Sequence, residues 1–591
     1  MDTAQKPAEE VELDLGRYEL RRRGRRVKLA RKPMELLIFL VGRRGQLVSR
    51  QDIATRLWRS DLFIDAEPNI NNIVRKIRTA LGDDSAKPRF LETVVGKGYR
   101  FVGPVRVIGA RNGEAPADAP RATSRSSLAV LPLLALDNFR DDQGLGLGIA
   151  DALASRLGNL QDLDVLPSSA VLHLPAEIVA ADAGARLDVR FVVHGALRDE
   201  KGQARLSLQV FDCDEQRALL TRRCDLDLPR LSAVEDELAR QIAAALHRPL
   251  RPAAEPRRSR YSQDPLAYAE FMHGFRLSSA GDPKSMDETV QRLTSAVTRD
   301  PAFSLAHATL SQVCATRHFE FDPISAWLEK AEFHCRRALE LDPDLPEAHV
   351  AKAFLLWGPS KNFQHLEAIA ELRQALALQK NLPHAYNRLG TILAHIGLLD
   401  QARDLYERGR QFHPRRAISH SIAQVYLWKR ECDLARREID AWRAESPDNK
   451  YALYFAPQVE MMSGDFRQAR ALLDEALDRL PNEPMTISLC GLFHAMTGKP
   501  EEAMDCVHRA CASPKTFGHA HHTYYQVACV YALLGRAEAA FEWLDRSVST
   551  GFACWPFFVQ DPCLRRLQAL PQFEVLVSSL QAKYPARLGL L

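Results

Sequence analysis

The segment Pro68 to Leu81, PNINNIVRKIRTAL, carries Asn69, Asn72, Arg75, Lys76 and Arg78 between the apolar residues Ile70, Val74, Ile77 and Leu81. The apolar set recurs at helical spacing, which predicts an amphipathic helix with its amides and cations largely on the outer face. Side chains of this kind recognise rather than react. Arg and Lys donate to guanine edges and phosphates, and Asn pairs with the edge of adenine. Farther along, Phe90 to Phe101 (FLETVVGKGYRF) sets two β-rich runs around Gly96-Lys97-Gly98. That pattern predicts a hairpin with Lys97 at its basic tip, placed to meet a phosphate or the minor groove. Arg100, in the second run, joins these residues as a candidate DNA contact.

Bond-breaking chemistry has no comparable set. The sequence contains no HExxH, no G-x-S-x-G and no Walker A motif. Gly491 to Lys499 has two residues too many between its glycines, and Pro500 stands where Ser or Thr belongs. Gly144, Gly146 and Gly148 lack the full dinucleotide fingerprint and read as a turn with a helix N-cap. His519, His521 and His522 fall in one turn and read as surface histidines, because the sequence nominates no further ligands for a metal. The 11 cysteines are scattered without a CxxC pair, as buried thiols of a reducing compartment would be. No catalytic residue, cofactor or metal is expected, and the chain is not expected to be an enzyme.

The elements that position the Asn/Arg/Lys helix form a compact basic module. Residues 1–103 hold 22 Lys+Arg against 14 Asp+Glu, a net of +8, within a chain of 591 residues whose net charge is only +4. The remainder is therefore mildly acidic, and the asymmetry points to a polyanion partner for one end alone. Arg17 to Leu29, with Arg21, Arg22, Arg23, Arg25 and Arg26, reads as short strands. Pro33 to Val41 reads as a helix with Pro in its first turn. Ser49 to Trp58 reads as a second helix opened by the capping pair Ser49 and Asp52. Gly82 ends the third helix.

Residues 13–103 resemble the winged-helix effector domain of the OmpR/PhoB type, most of all its ToxR/CadC-like branch, in which that domain is N-terminal. Glu35-Leu36-Leu37, Leu57-Trp58, Ile73 to Asp83 and Glu92 to Phe101 carry the resemblance. It implies that the third helix enters the major groove. Arg75, Lys76 and Arg78 match the base- and phosphate-contacting positions, and Thr93 and the tip come from the wing. Val95 stands where several relatives carry an Arg that reaches the minor groove, which leaves that contact to Lys97. Only about a dozen residues precede the domain, so no phosphorylatable receiver is expected before it. The transmembrane helix of membrane-bound relatives is not expected either, since no apolar run approaches the ~18–20 residues a bilayer requires.

Residues 104–125, rich in Pro, Gly and Ala, read as a flexible linker. Residues 126–250 read as a small α/β domain, opening on one buried strand from Ser127 to Leu136 and including a hairpin about Asp199–Gly202. This stretch resembles the TolB amino-terminal and FlgO-like domains. After a second linker, 251–263, residues 264–591 turn helical. Pro414, Pro447, Pro481 and Pro514 lie 33, 34 and 33 residues apart, the tetratricopeptide period. Ala402, Ala435, Ala469, Ala503 and Ala540 recur where a small residue lets one helix of a repeat approach the other. About eight units are expected, beginning near 270, 312, 349, 383, 416, 450, 484 and 521, followed by a cap.

The fold class expected is therefore multidomain: an N-terminal winged helix-turn-helix, a small α/β domain and a C-terminal all-α tetratricopeptide solenoid. The function expected is that of a cytoplasmic, one-component, phosphorelay-independent bacterial transcriptional regulator. Its partners would be double-stranded promoter DNA, RNA polymerase, and a peptide or protein on the concave face of the repeats, with homodimers on DNA and no membrane. The alternative is a repeat scaffold with a vestigial winged helix.

Overall fold

The computed structural model describes residues 11–108 and 127–584. Excepted in the first stretch are 15–18, 23–24, 28, 30, 43, 46, 51–52, 54–65, 85–86, 95–96 and 104. Excepted in the second are 137–138, 140, 142–143, 159, 161, 173, 201–202, 227–230, 249–260, 263, 279–282, 413–418 and 513–517. The chain divides into two compact units, a head of residues 1–124 and a body of residues 125–591. Most of the expected second helix, together with Val95 and Gly96, lies outside the described residues.

The head contains β1 (Val11–Asp14), β2 (Glu19–Arg22), β3 (Arg25–Val27), α1 (Arg31–Gly42), β4 (Leu47–Ser49), α2 (Ala66–Leu81), β5 (Leu91–Val94), β6 (Gly98–Phe101) and β7 (Arg106–Ile108). One sheet runs β3-β2-β1-β7, and a second runs β4-β6-β5. Strand β7 pairs in parallel with β1, Leu13 facing Val107. This corrects the expected linker, whose first residues belong to the head's sheet. Ile70, Val74, Ile77 and Leu81 are all at most 2% exposed and face Leu36, Leu37, Leu40 and Phe101. Full burial of such a side chain stabilises by about 1.5–3 kcal/mol, so this stripe fixes which face of α2 is left outward. Gly82 follows α2 with φ +64°, and the Asp83 amide donates to the Arg78 carbonyl at 2.9 Å, a Schellman closure.

The body opens with β8 (Ser127–Val130), β9 (Leu134–Leu136), α3 (Leu145–Leu157), β10 (Asp164–Val165), α4 (Ala180–Leu187), β11 (Phe191–Glu200), β12 (Gln203–Asp212), β13 (Arg217–Asp225) and α5 (Leu231–Ala245). The strands order as β10-β8-β11-β12-β13, with β9 pairing β11. The single opening strand expected from Ser127 to Leu136 is thus two, because Pro132 cannot donate to a ladder. Asp141 accepts the amides of Leu145 (2.5 Å) and Gly146 (2.9 Å), so a carboxylate of the chain itself occupies the start of α3.

Among the described residues, eight helical hairpins follow, their first helices beginning at Pro265, Ser304, Pro346, Pro383, Ser419, Lys450, Pro484 and Ala520. Short helices from Trp555 and Arg565 and a longer one, Pro571–Lys583, close the stack. Ala402, Ala435, Ala469, Ala503 and Ala540 are fully buried, as close helix packing requires. The first two units start earlier than expected from sequence because their helices are longer, 17 residues in three of the four. The α/β layer and the repeats are joined rather than tethered. Ser155 Oγ donates to Gln379 Oε1 at 3.0 Å, Asn381 Nδ2 to the Ala154 carbonyl at 3.3 Å, and Arg408 pairs with Asp164 at 2.8 Å. Tyr261, within the expected second linker, is buried and donates to Asp151.

A second correction concerns the histidines. His521 is fully buried and His522 is 6% exposed, and both meet His395, also fully buried. Loss of hydration pushes the His521 imidazole down to about 3 and holds His395, His519 and His522 well below the ordinary histidine range. Among the described residues, no helix is long and apolar enough to cross a membrane.

Candidate nucleic-acid interface

The outward face of α2 presents Arg75, Lys76 and Asn71, all exposed. The wing, β5 and β6, stands beside it, held by two anchors. The first is Asp83, whose carboxylate accepts the amides of Arg89 (2.6 Å), Phe90 (3.2 Å) and Leu91 (2.8 Å). The second is Arg78. Its Nη2 donates to the Leu91 carbonyl at 2.9 Å and to Thr93 Oγ1 at 2.8 Å. Arg78 therefore fixes the wing against the helix.

Arg75, Arg78 and Thr93 line one polar cleft of about 530 Å3, shared with Arg50, Asn71, Thr79 and Tyr99. Asn71 Oδ1 accepts from Arg50 Nη1 at 3.1 Å and from Tyr99 Oη at 2.8 Å, and the Arg50 guanidinium lies 5.3 Å from the Tyr99 ring centre. With Oδ1 engaged twice, the Asn71 amide NH2 is left to donate. Arg50, Asn71 and Tyr99 were not singled out from sequence. Asn71 sits between two asparagines that were, but only the wing's tyrosine reveals its role.

Lys97 lies exposed in the turn, its amide donating to the Val94 carbonyl at 3.0 Å. Lys76 is exposed on α2 outside the cleft lining. Arg100 is set apart. Thr93 faces Tyr99 across the hairpin, and Glu92 faces Arg100. Alternation along a strand turns the Glu92–Arg100 pair to the other face of the wing. There Arg100 Nη1 meets Glu92 Oε2 at 3.3 Å. Asn69 and Asn72 belong to α2, and their side chains lie outside the described ones.

Helix, wing and cleft define a winged-helix head built to meet a polyanion. Residues 24–101 match the family model described as transcriptional regulatory protein, C terminal. The chain thus carries an N-terminal OmpR/PhoB-type winged helix and a C-terminal run of tetratricopeptide repeats. It is 32% identical over 108 residues to the transcriptional activator protein IrlR of Burkholderia pseudomallei, covering 18% of this chain and 43% of that protein. It is 28% identical over 249 residues to a Rhizobium meliloti protein assigned as adenylate cyclase 3, covering 40% of this chain and 41% of that one. The chain spans less than half the length of either relative. Among solved structures, the tetratricopeptide protein YrrB, titled as having an unusual peptide-binding site, is 18% identical with a TM-score of 0.25, covering 33% of this chain and 95% of that one.

Proposed function

We propose that the chain is a one-component transcriptional regulator whose head reads promoter DNA through α2 and the wing. The observation that carries this is the exposed Arg75 and Lys76 on the outward face of a helix braced against a wing tipped by Lys97. Arg75 reads base edges, a role for which the sequence also nominates Asn69 and Asn72; Lys76 and Lys97 take phosphates, and Arg78 with Thr93 holds the wing in register while adding to the cleft. Arg100 contributes to the field rather than to a base contact. Two heads on repeated half-sites, with RNA polymerase recruited beside them, would turn binding into regulation. The body responds to an effector or protein partner and biases occupancy. The eleven cysteines are all thiols, which suits the reducing cytoplasm where the promoter lies.

The test is a salt titration of the full chain on duplex DNA, with and without Arg75→Ala and Lys76→Ala together. Each lost phosphate contact lowers the slope of log K against log salt by about 0.9. A slope unchanged in the double variant overturns reading through α2 and favours a repeat scaffold. The reading assigns binding rather than catalysis to the chain. An assay for cyclic nucleotide formation from ATP is therefore expected to give none, and turnover would contradict it.

A further inference from the structure

The body gathers four histidines from two distant stretches of sequence. His395 ends the first helix of the fourth hairpin, and His519, His521 and His522 stand at the start of the first helix of the eighth. One ring nitrogen from each lies within 4.8 Å of the other three. Nε2 of His395 is 3.3 Å from Nε2 of His522, and Nδ1 of His519 is 3.3 Å from Nε2 of His521. Two nitrogens bound to one tetrahedral zinc at ~2.0–2.1 Å stand about 3.3–3.4 Å apart. Both close pairs already have that edge length, whereas 3.3 Å is long for a hydrogen bond between rings.

The tautomers fit as well. His395 Nδ1 is 2.7 Å from the Thr391 carbonyl, and His521 Nδ1 is 2.8 Å from the Thr550 carbonyl. A carbonyl only accepts, so each Nδ1 carries the proton and each Nε2 keeps its lone pair. Carbonyls in this outer position orient metal-bound imidazoles. Aromatic rings wall the cluster: Trp357 lies 5.1 Å from His395, and Phe552 lies 5.0 Å from His522. Three buried polar rings and a half-buried fourth, His519, set among aromatics are costly unless their nitrogens are engaged. Lys450 and Arg388 act on His519 against a bound cation. Glu320 accepts from Tyr451 and Lys450 beside His519 and so holds the Lys450 charge in an ion pair.

We propose that His395, His519, His521 and His522 bind one late first-row divalent metal ion of the zinc class. An all-imidazole set suits zinc, nickel or copper and not magnesium or calcium. The ion ties the fourth hairpin to the eighth, residues 395 and 522 being 127 apart in sequence. This inference concerns the body alone and stands whether or not the head reads DNA.

The test uses the full chain stripped with a chelator. Titration with Zn2+ should give one tightly held equivalent per chain and a raised unfolding temperature. With Co2+ the visible spectrum should be that of a tetrahedral nitrogen site. The thiolate-to-cobalt band that Cys490 and Cys506, grouped with His494, would produce should be missing. His395→Gln with His522→Gln should lose the ion, and Cys490→Ser should keep it. Should the histidine variant not fold, the cobalt spectrum of the unaltered chain still decides. No retained equivalent, a thiolate band, or full retention by the double histidine variant would overturn the proposal.

Discussion

Head and body both pair arginines with carboxylates, but only the head carries a marked excess of cations over carboxylates. In the body, arginines meet carboxylates of the same chain. Arg156 joins Glu235 (2.9 Å) and Asp236 (2.6 Å), Arg436 joins Glu460 (2.8 Å) and Asp433 (2.9 Å), and Arg479 joins Asp448 (2.6 Å) and Glu475 (3.3 Å). The head has fewer carboxylates than cations. Glu19 serves Arg21 and Arg26, and Glu92 serves Arg100. Among the described residues, Lys76 and Lys97 make no ion pair, and both sit where α2 and the wing turn outward. The contrast teaches that net charge alone does not make a polyanion site. A cation already held by a neighbouring carboxylate releases little when a phosphate arrives.

The comparison can be broken at several points. The largest effect is expected from Arg75→Ala with Lys76→Ala: loss of Arg75 should weaken specific DNA binding by about 1–3 kcal/mol, and loss of Lys76 should add a weakening uniform across sequences and a lower salt slope. Arg436→Ala in the body should leave that binding unchanged. Next comes acid sensitivity of the body. His334 Nδ1 lies 2.8 Å from His307 Nδ1, and burial, with His307 and Lys330 beside it, pushes His334 down to about 4. The folded value lies below the unfolded 6.5, so this stability is complete above about pH 6.5 and is lost as pH falls toward 4. His334 accounts for a loss on the order of 3 kcal/mol, so the drop in denaturant midpoint between neutral and acid pH should be smaller in His334→Gln, the remainder belonging to His395, His519, His521 and His522.

A smaller effect tests the joint within the body. A Cβ at Gly148 would lie 1.1 Å from the Tyr268 hydroxyl. Gly148→Ala should cost about 1–3 kcal/mol by overpacking, read as a lowered unfolding midpoint with the head's DNA affinity retained. Equal stability would mean that the α/β layer does not rest on the repeats. The smallest effect sharpens the head. Arg100→Ala should change DNA affinity by less than about 1 kcal/mol, because that charge is paired with Glu92 on the other face of the wing. A loss as large as that of Arg75→Ala would place Arg100 on the DNA.

Periodicity made much of this legible. The stripe from Ile70 to Leu81 marks the buried face of α2 because one helical period governs both pattern and packing. The repeats from Pro383 onward start within three residues of their sequence positions because proline recurs every 33 or 34 residues and alanine nearly so, with one interval of 37 between Ala503 and Ala540. What stayed hidden depends on distant partners. The role of Asn71 requires Arg50 and Tyr99, and the histidine cluster requires His395, 127 residues before His522. Arg100 stands in the same basic run as Lys97, and its partner Glu92 emerges only from the register and alternation of the hairpin. Strand β7 was read as linker because three residues carry no period, and only pairing with β1 defines them.

The central claim is that α2 and the wing of the head, not the body, select DNA. The most direct measurement is genome-wide mapping of DNA bound by the native chain beside the Arg75→Ala, Lys76→Ala variant at equal abundance. The account predicts discrete enriched sites for the native chain and their loss in the variant. The same sites in both, or no enrichment above background for the native chain, would contradict it.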